Sequence, residues 1–151
     1  MVNNLTRVSE VTIAYRPKFK ASTRPQITKA EDAYQILINQ WDKDTIELLE
    51  EFKIMLLNRH NKVLGVATIS VGGISGTVVD PKVVFAIALK AKASSIILAH
   101  NHPSGNINAS LVDTQVTTKL KQGGRLLDIN VSDHLIITKD GYYSYADESL
   151  M

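Results

Sequence analysis

Residues 97–115 read ILAHNHPSGNINASLVDTQ. His100 and His102 stand two apart at the end of an apolar run, and Ser110 and Asp113 open a stretch with helical spacing. On a strand, residues i and i+2 share a face. Both imidazoles can therefore address one point at the strand's C-terminal end, where α/β folds usually place ligands. Zinc accepts neutral imidazole nitrogens, and a catalytic zinc site needs a third protein ligand plus an open position for water. Asp113 supplies that third ligand if the intervening loop folds back, giving a His₂Asp set with Ser110 one helical turn earlier. The same residues also have a purely structural reading. Ser110-x-x-Asp113 is a capping-box pattern that needs no metal, a histidine near a strand end is commonly just hydrogen-bonded, and the Asn and Gly residues of the loop suit a turn.

The elements that must position these residues follow from hydrophobic periodicity and stop signals. Residues 8–16, VSEVTIAYR, alternate apolar and polar and predict a strand. Thr28-Lys-Ala-Glu31 is a capping box opening a helix that runs to about Trp41, with Ala33, Ile36, Leu37 and Trp41 on its buried side. Residues 50–58, EEFKIMLLN, form a strand apolar enough to be buried on both faces. Arg59 to Lys62 is a turn with His60 exposed, and VLGVATISVGG is the antiparallel partner strand, ending at Gly72-Gly73. Asp80 is the N-cap and Pro81 the first residue of the next helix, whose buried stripe is Val84, Ile87, Ala88 and Ala91. SSIILAH is a short strand and residues 103–109 a loop. A helix spans 110–122 and stops at Gly123-Gly124. Residues 133–138 are the last strong strand, followed by a turn at Asp140-Gly141 and a tail or short strand. Strands with helices between them predict an α/β fold, a mixed central β-sheet with helices on both faces.

Composition removes several classes. The chain of 151 residues suits one domain with one core. No apolar run approaches a membrane span, and the N-terminal residues lack the apolar centre of a signal peptide. The absence of cysteine excludes disulfides and any Cys-ligated zinc or iron–sulfur site, and agrees with an expected cytoplasmic location. A zinc deaminase needs H-x-E and P-C-x-x-C, and neither is present; H-E-x-x-H is also missing. A net charge of +2 does not argue for nucleic acid. Arg16, Lys18, Lys20 and Arg24, interleaved with Tyr15 and Phe19, are the one notable basic stretch. It could meet a phosphate backbone, but reads first as a solvated edge strand and loop.

His100-x-His102-Pro103, six further residues, then Ser110-x-x-Asp113 has the full spacing of the JAMM (JAB/MPN+) metalloprotease signature. HNHPSG together with DHLIIT at 133–138 is similar to the RadC-like branch of that family, and the resemblance runs from about Thr28 to Thr138. It implies a cytidine deaminase-like sandwich over residues 28–151, preceded by an extension with an edge strand over 1–27. It implies zinc held by His100, His102 and Asp113, with Ser110 hydrogen-bonding the oxyanion or the water. It also implies an upstream glutamate as general base. Glu50 and Glu51 both qualify, and alternation points them to opposite faces. RadC-like sequences commonly carry the acid two residues before the aromatic that opens this strand, here Phe52, which selects Glu50.

The reaction so implied is hydrolysis of a peptide or isopeptide bond by a metal-activated water, with a peptide or protein as substrate. Asn101, Ser104 and Asn106 either shape substrate access or serve the turn. His134 either orients a ligand or is a buried, hydrogen-bonded structural histidine, and the second is favoured. The sequence departs from RadC-like proteins in two respects. It has no room for a helix-hairpin-helix module, and its loop lacks the additional acidic and proline residues. The short form resembles stand-alone domains, which weakens the family's association with DNA repair. The alternative is a non-enzymatic module binding DNA or a protein through its edge strand or residues 16–24.

Overall fold

A computed structural model of the chain describes residues 9–12, 15–73 and 76–151. Its centre is a five-stranded sheet in the order β2-β1-β3-β4-β5. The strands are β1 (Glu51–Leu57), β2 (Val63–Val71), β3 (Ser95–Asn101), β4 (Asn130–Ile137) and β5 (Tyr142–Ser144). Three helices cover it: α1 (Ala30–Gln40), α2 (Pro81–Lys90) and α3 (Leu111–Leu126). β3 and β4 run parallel, linked by α3 as a crossover, and the other neighbours are antiparallel. Every residue of β1 and of β3 is buried, as the apolar-rich runs predict for strands covered on both faces.

Strand alternation divides the core in two. Phe52, Ile54 and Leu56 of β1 join Ile96 and Leu98 of β3 against Val84, Phe85 and Ala88 of α2 and Leu120 of α3. Met55 and Leu57, with Ile97 and Ala99, face Ala33 and Leu37 of α1 and Trp41 beyond it. Each of the larger aliphatic, Met and Phe side chains removed from water contributes roughly 1.5–3 kcal/mol. The helix starts are chemical. Asp80 accepts a hydrogen bond from the Lys82 amide at 2.9 Å and Pro81 opens α2.

Three expectations are corrected. Residues 9–12 and 15–16 of the expected N-terminal strand are not strand, and the rest of that segment lies outside the described residues. Among the described residues of this segment the contact with edge strand β2 is through a side chain rather than a backbone ladder: the Tyr15 hydroxyl donates to the Leu64 carbonyl. The capping acid of α1 is Asp32 rather than Glu31. Its carboxylate accepts from the Thr28 amide at 2.8 Å, the Thr28 hydroxyl at 2.6 Å and the Lys29 amide at 3.1 Å. Finally, α3 runs through Gly123-Gly124 to Leu126, and the chain reverses at Asp128, whose φ is +53°. The glycines are there for close packing. A Cβ on Gly123 would lie 2.8 Å from the Phe85 ring edge, and one on Gly124 would collide with the Ile129 carbonyl oxygen.

This predicts a sign reversal. Helix propensity alone makes Gly→Ala stabilising by about 1 kcal/mol. Gly124→Ala is expected to lower stability by roughly 1–3 kcal/mol through overpacking, as read from thermal or urea denaturation. A rise in stability would contradict the close approach of α3 to Ile129.

Candidate metal centre

The C-terminal end of β3 meets the N-terminal end of α3, and the two histidines and the aspartate converge there. One ligand atom each from His100, His102 and Asp113 lie within 4.8 Å of one another. His100 Nε2 is 3.0 Å from His102 Nε2 and 3.2 Å from Asp113 Oδ1, and His102 Nε2 is 3.6 Å from Asp113 Oδ2. His100 is buried and its two partners are partly buried. His102 lies one residue past β3, yet its amide still donates to the Ile137 carbonyl, so the pleat holds the i,i+2 alignment.

The capping box is also present, and it is what aims the carboxylate. Ser110 Oγ accepts from the Asp113 amide at 3.1 Å, and Asp113 Oδ2 accepts from the Ser110 amide at 2.7 Å. Oδ1 is thereby left facing His100. The structural and metal readings of this stretch are one arrangement. The Ser110 hydroxyl accepts in the cap, so its own hydrogen is available to the cleft it lines.

Glu50 arrives from the neighbouring strand. β1 runs antiparallel to β3 with Phe52 opposite His100, and continuing that register sets Glu50 level with His102. Its backbone is bonded to Gly73 O through its amide and to the Gly72 amide through its carbonyl. Glu50 shares with His100, His102, Ser110 and Asp113 a cleft of about 370 Å³. Glu51 points to the other face, where its carboxylate is 2.7 Å from the buried Lys53 ammonium. That ammonium also bonds Thr68 and lies over the Trp41 ring. Of the two acids, only Glu50 faces the histidines.

Two roles differ from the sequence reading. Asn101 neither lines the loop nor serves a turn: it is fully buried. Its Oδ1 accepts from the Glu51 amide, and its Nδ2 donates to the carbonyls of Ile46 and Leu49. It thus ties the segment carrying Glu50 to the strand carrying the histidines. His134 is buried and hydrogen-bonded, as favoured, but its partner is His100: the two rings meet at 2.8 Å between Nε2 and Nδ1. Tyr145 stacks on His134 with ring centroids 5.2 Å apart, and Phe52 packs edge-on at 5.6 Å. Asn106 acts through its backbone, its carbonyl accepting from His102 Nδ1. A carbonyl can only accept, so the neutral His102 ring carries its hydrogen on Nδ1 and leaves Nε2 as the position that a second proton or a metal takes.

The donor set fits a divalent cation. Burial pushes the Asp113 pKa up, but hydrogen bonds to His100 and His102 outweigh it and hold the carboxyl well below its ordinary range. The hydrogen bond to Asp113 raises the His102 pKa, against the opposing effect of burial. Burial raises Glu50, with His100 and His102 opposing, and holds His134 well below its usual value, hence neutral. Lone pairs and a carboxylate thus crowd one point, which a proton or a metal ion must neutralise.

A divalent cation that binds here must displace the second proton, which the protonated His102 ring directs from Nε2 toward Asp113. Because the His102 pKa is raised, affinity is expected to climb with pH through and above the ordinary histidine range near 6.5. Calorimetric titration at neutral pH in two buffers of different ionisation enthalpy should show net proton release; buffer-independent heats would contradict it. His100→Ala, His102→Ala and Asp113→Ala should each lose the metal. Ser110→Ala should retain it and cost roughly 1 kcal/mol of stability through the lost cap.

Comparison with known proteins agrees with this geometry. Residues 27–150 match the RadC-like JAB domain family. The chain is 45% identical over 127 residues to a UPF0758 protein of Flavobacterium johnsoniae, covering 83% of this chain and 53% of the relative. It is 43% identical over 102 residues to a UPF0758 protein of Alkaliphilus metalliredigens, covering 68% and 44%. A UPF0758 protein of Caldanaerobacter subterraneus subsp. tengcongensis is 34% identical over 165 residues, covering 95% and 70%. The chain spans about half the length of the first two. With its motif residues gathered at one point and its length matched almost throughout, the chain belongs to the RadC-like JAB domain family.

Proposed function

We propose that this chain is a zinc-dependent hydrolase of peptide or isopeptide bonds. The observation that carries the reading is the convergence of His100, His102 and Asp113 on one point, with Glu50 in the same cleft. A zinc ion held by these three residues would supply a Lewis acid and a water of lowered pKa. Glu50 takes the proton of the attacking water and delivers it to the leaving amine nitrogen. Burial, by raising its pKa, brings it nearer the value at which a carboxylate can both accept and return a proton near neutral pH. Ser110 donates its hydroxyl hydrogen to the oxyanion of the tetrahedral intermediate; one such donor is worth about 3 kcal/mol. Val79, Val112 and Val116 supply apolar lining to the cleft.

The partner implied is a peptide or protein substrate. The absence of cysteine agrees with a cytoplasmic setting, and among the described residues no helix is long and apolar enough to cross a membrane. The basic residues Arg16, Lys18 and Arg24 line a separate groove against β2 that shares no lining residue with the cleft. With a net charge of +2, DNA binding is expected to be weak at physiological salt.

Glu50→Gln is expected to lower turnover by about 10²–10⁴-fold while zinc stays stoichiometric. Glu51→Gln should leave turnover near wild type and lower stability by roughly 3 kcal/mol, because Lys53 loses its buried counter-charge. Zinc content, melting temperature and cleavage of a panel of peptide and isopeptide-linked substrates check both. The reverse pattern would assign the base to the other face of β1. No cleavage by the zinc-loaded wild type would remove the hydrolase reading.

A further inference from the structure

Behind the three converging residues lies a buried threonine that the sequence motif does not include. Thr117 sits on α3 one turn after Asp113 and is 2% exposed. Its hydroxyl oxygen is 2.7 Å from the Asp113 backbone carbonyl and 2.6 Å from His134 Nδ1. A hydroxyl has one hydrogen, whereas a carbonyl can only accept. The Thr117 hydrogen therefore goes to the Asp113 carbonyl, and Thr117 Oγ1 meets His134 as an acceptor. That requires the His134 hydrogen on Nδ1. A neutral imidazole donates from only one nitrogen, so His134 Nε2 is bare. It lies 2.8 Å from His100 Nδ1, which must then carry the His100 hydrogen. The end of the chain is a bare His100 Nε2, turned toward His102 and Asp113.

We propose that Thr117, acting through His134, is the positioning residue that fixes His100 in the tautomer able to ligate a metal. The inference rests on the metal-site reading above. The reverse order of hydrogens would place one on His100 Nε2, blocking the ligand position. It would also turn the Thr117 hydroxyl away from the Asp113 carbonyl, which Thr117 reaches by ordinary helix geometry. Both histidine ligands thus have their tautomer set by a backbone carbonyl: His102 directly by that of Asn106, and His100 by that of Asp113 through two buried side chains. Tyr145, stacked on the His134 ring, and Phe52, packed edge-on against it, keep that ring from turning out of this line.

The test compares wild type with Thr117→Val and Thr117→Ser in the full chain. Zinc affinity is measured by competition with a chromogenic chelator, and histidine ring nitrogens by long-range ¹H–¹⁵N spectra of metal-free protein. Wild type should show the hydrogen on Nδ1 of both His134 and His100. Thr117→Val keeps the shape but removes the hydroxyl. It should scramble or reverse this pattern and weaken zinc binding by about 10–100-fold. Thr117→Ser should restore the pattern and return affinity to within about threefold of wild type, the loss being that of a mere methyl group. A wild-type His134 carrying its hydrogen on Nε2 would overturn the proposal, as would a valine variant that binds zinc like wild type. A wild type without zinc affinity would instead overturn the metal-site reading itself. A destabilised valine variant with unchanged tautomers and zinc affinity would reduce Thr117 to a packing role and also refute the proposal.

Discussion

The Asp113 carboxylate has two oxygens with different duties. Oδ2 accepts the Ser110 amide and closes the first turn of α3, while Oδ1 faces His100. A helix N-terminus favours negative charge and leaves amides in need of acceptors, so the cap supplies part of the force that holds this carboxylate ionised and aimed. The remaining geometry depends on it. The parallel β3-α3-β4 unit puts the start of α3 above the end of β3. The cap fixes the far end of the loop from Pro103 to Ala109, while His102 Nδ1 holds its middle at the Asn106 carbonyl.

The second constraint is the antiparallel pairing of β1 with β3. It brings an acid fifty positions upstream of the first histidine to the same cleft, and alternation separates that acid from its neighbour. Glu50 is left facing the histidines, whereas Glu51 is neutralised by Lys53 on the α1 side. Asn101 joins these arrangements: one buried amide, between the two histidines in sequence, accepts from the Glu51 amide and holds the Ile46 and Leu49 carbonyls. The strand presents its histidines to one face and its tether for the Glu50 segment to the other.

Much of this was legible because it is local. Apolar-rich runs marked β1 and β3, Asp80-Pro81 marked the start of α2, and the histidine and Ser-x-x-Asp spacings marked the site. What was not legible depends on pairing or on close approach. Gly123-Gly124 carries a strong stop signal, but contact with Phe85 and Ile129 explains both glycines without a helix end. The alternation of residues 8–16 is a strand pattern, and a pattern cannot show whether the segment joins a backbone ladder. At the start of α1, Glu31 and Asp32 are adjacent acids, and the backbone register decides which one caps. His134 and Thr117 lie 34 and 17 positions from their partners. The β3–β4 register, with Leu98 opposite His134, is what brings the second imidazole behind the first.

The central claim is that a capped helix end and a strand-end histidine pair form one metal centre. X-ray absorption at the zinc edge, on protein loaded with one equivalent of zinc, tests it most directly. The account predicts a four-coordinate ion with two imidazole nitrogens at about 2.0–2.1 Å and oxygen ligands for the rest. One of those oxygens should disappear or lengthen in Asp113→Ala. A six-coordinate, all-oxygen shell, or a spectrum unchanged by that substitution, would show that the ion binds elsewhere and that Asp113 serves the helix alone.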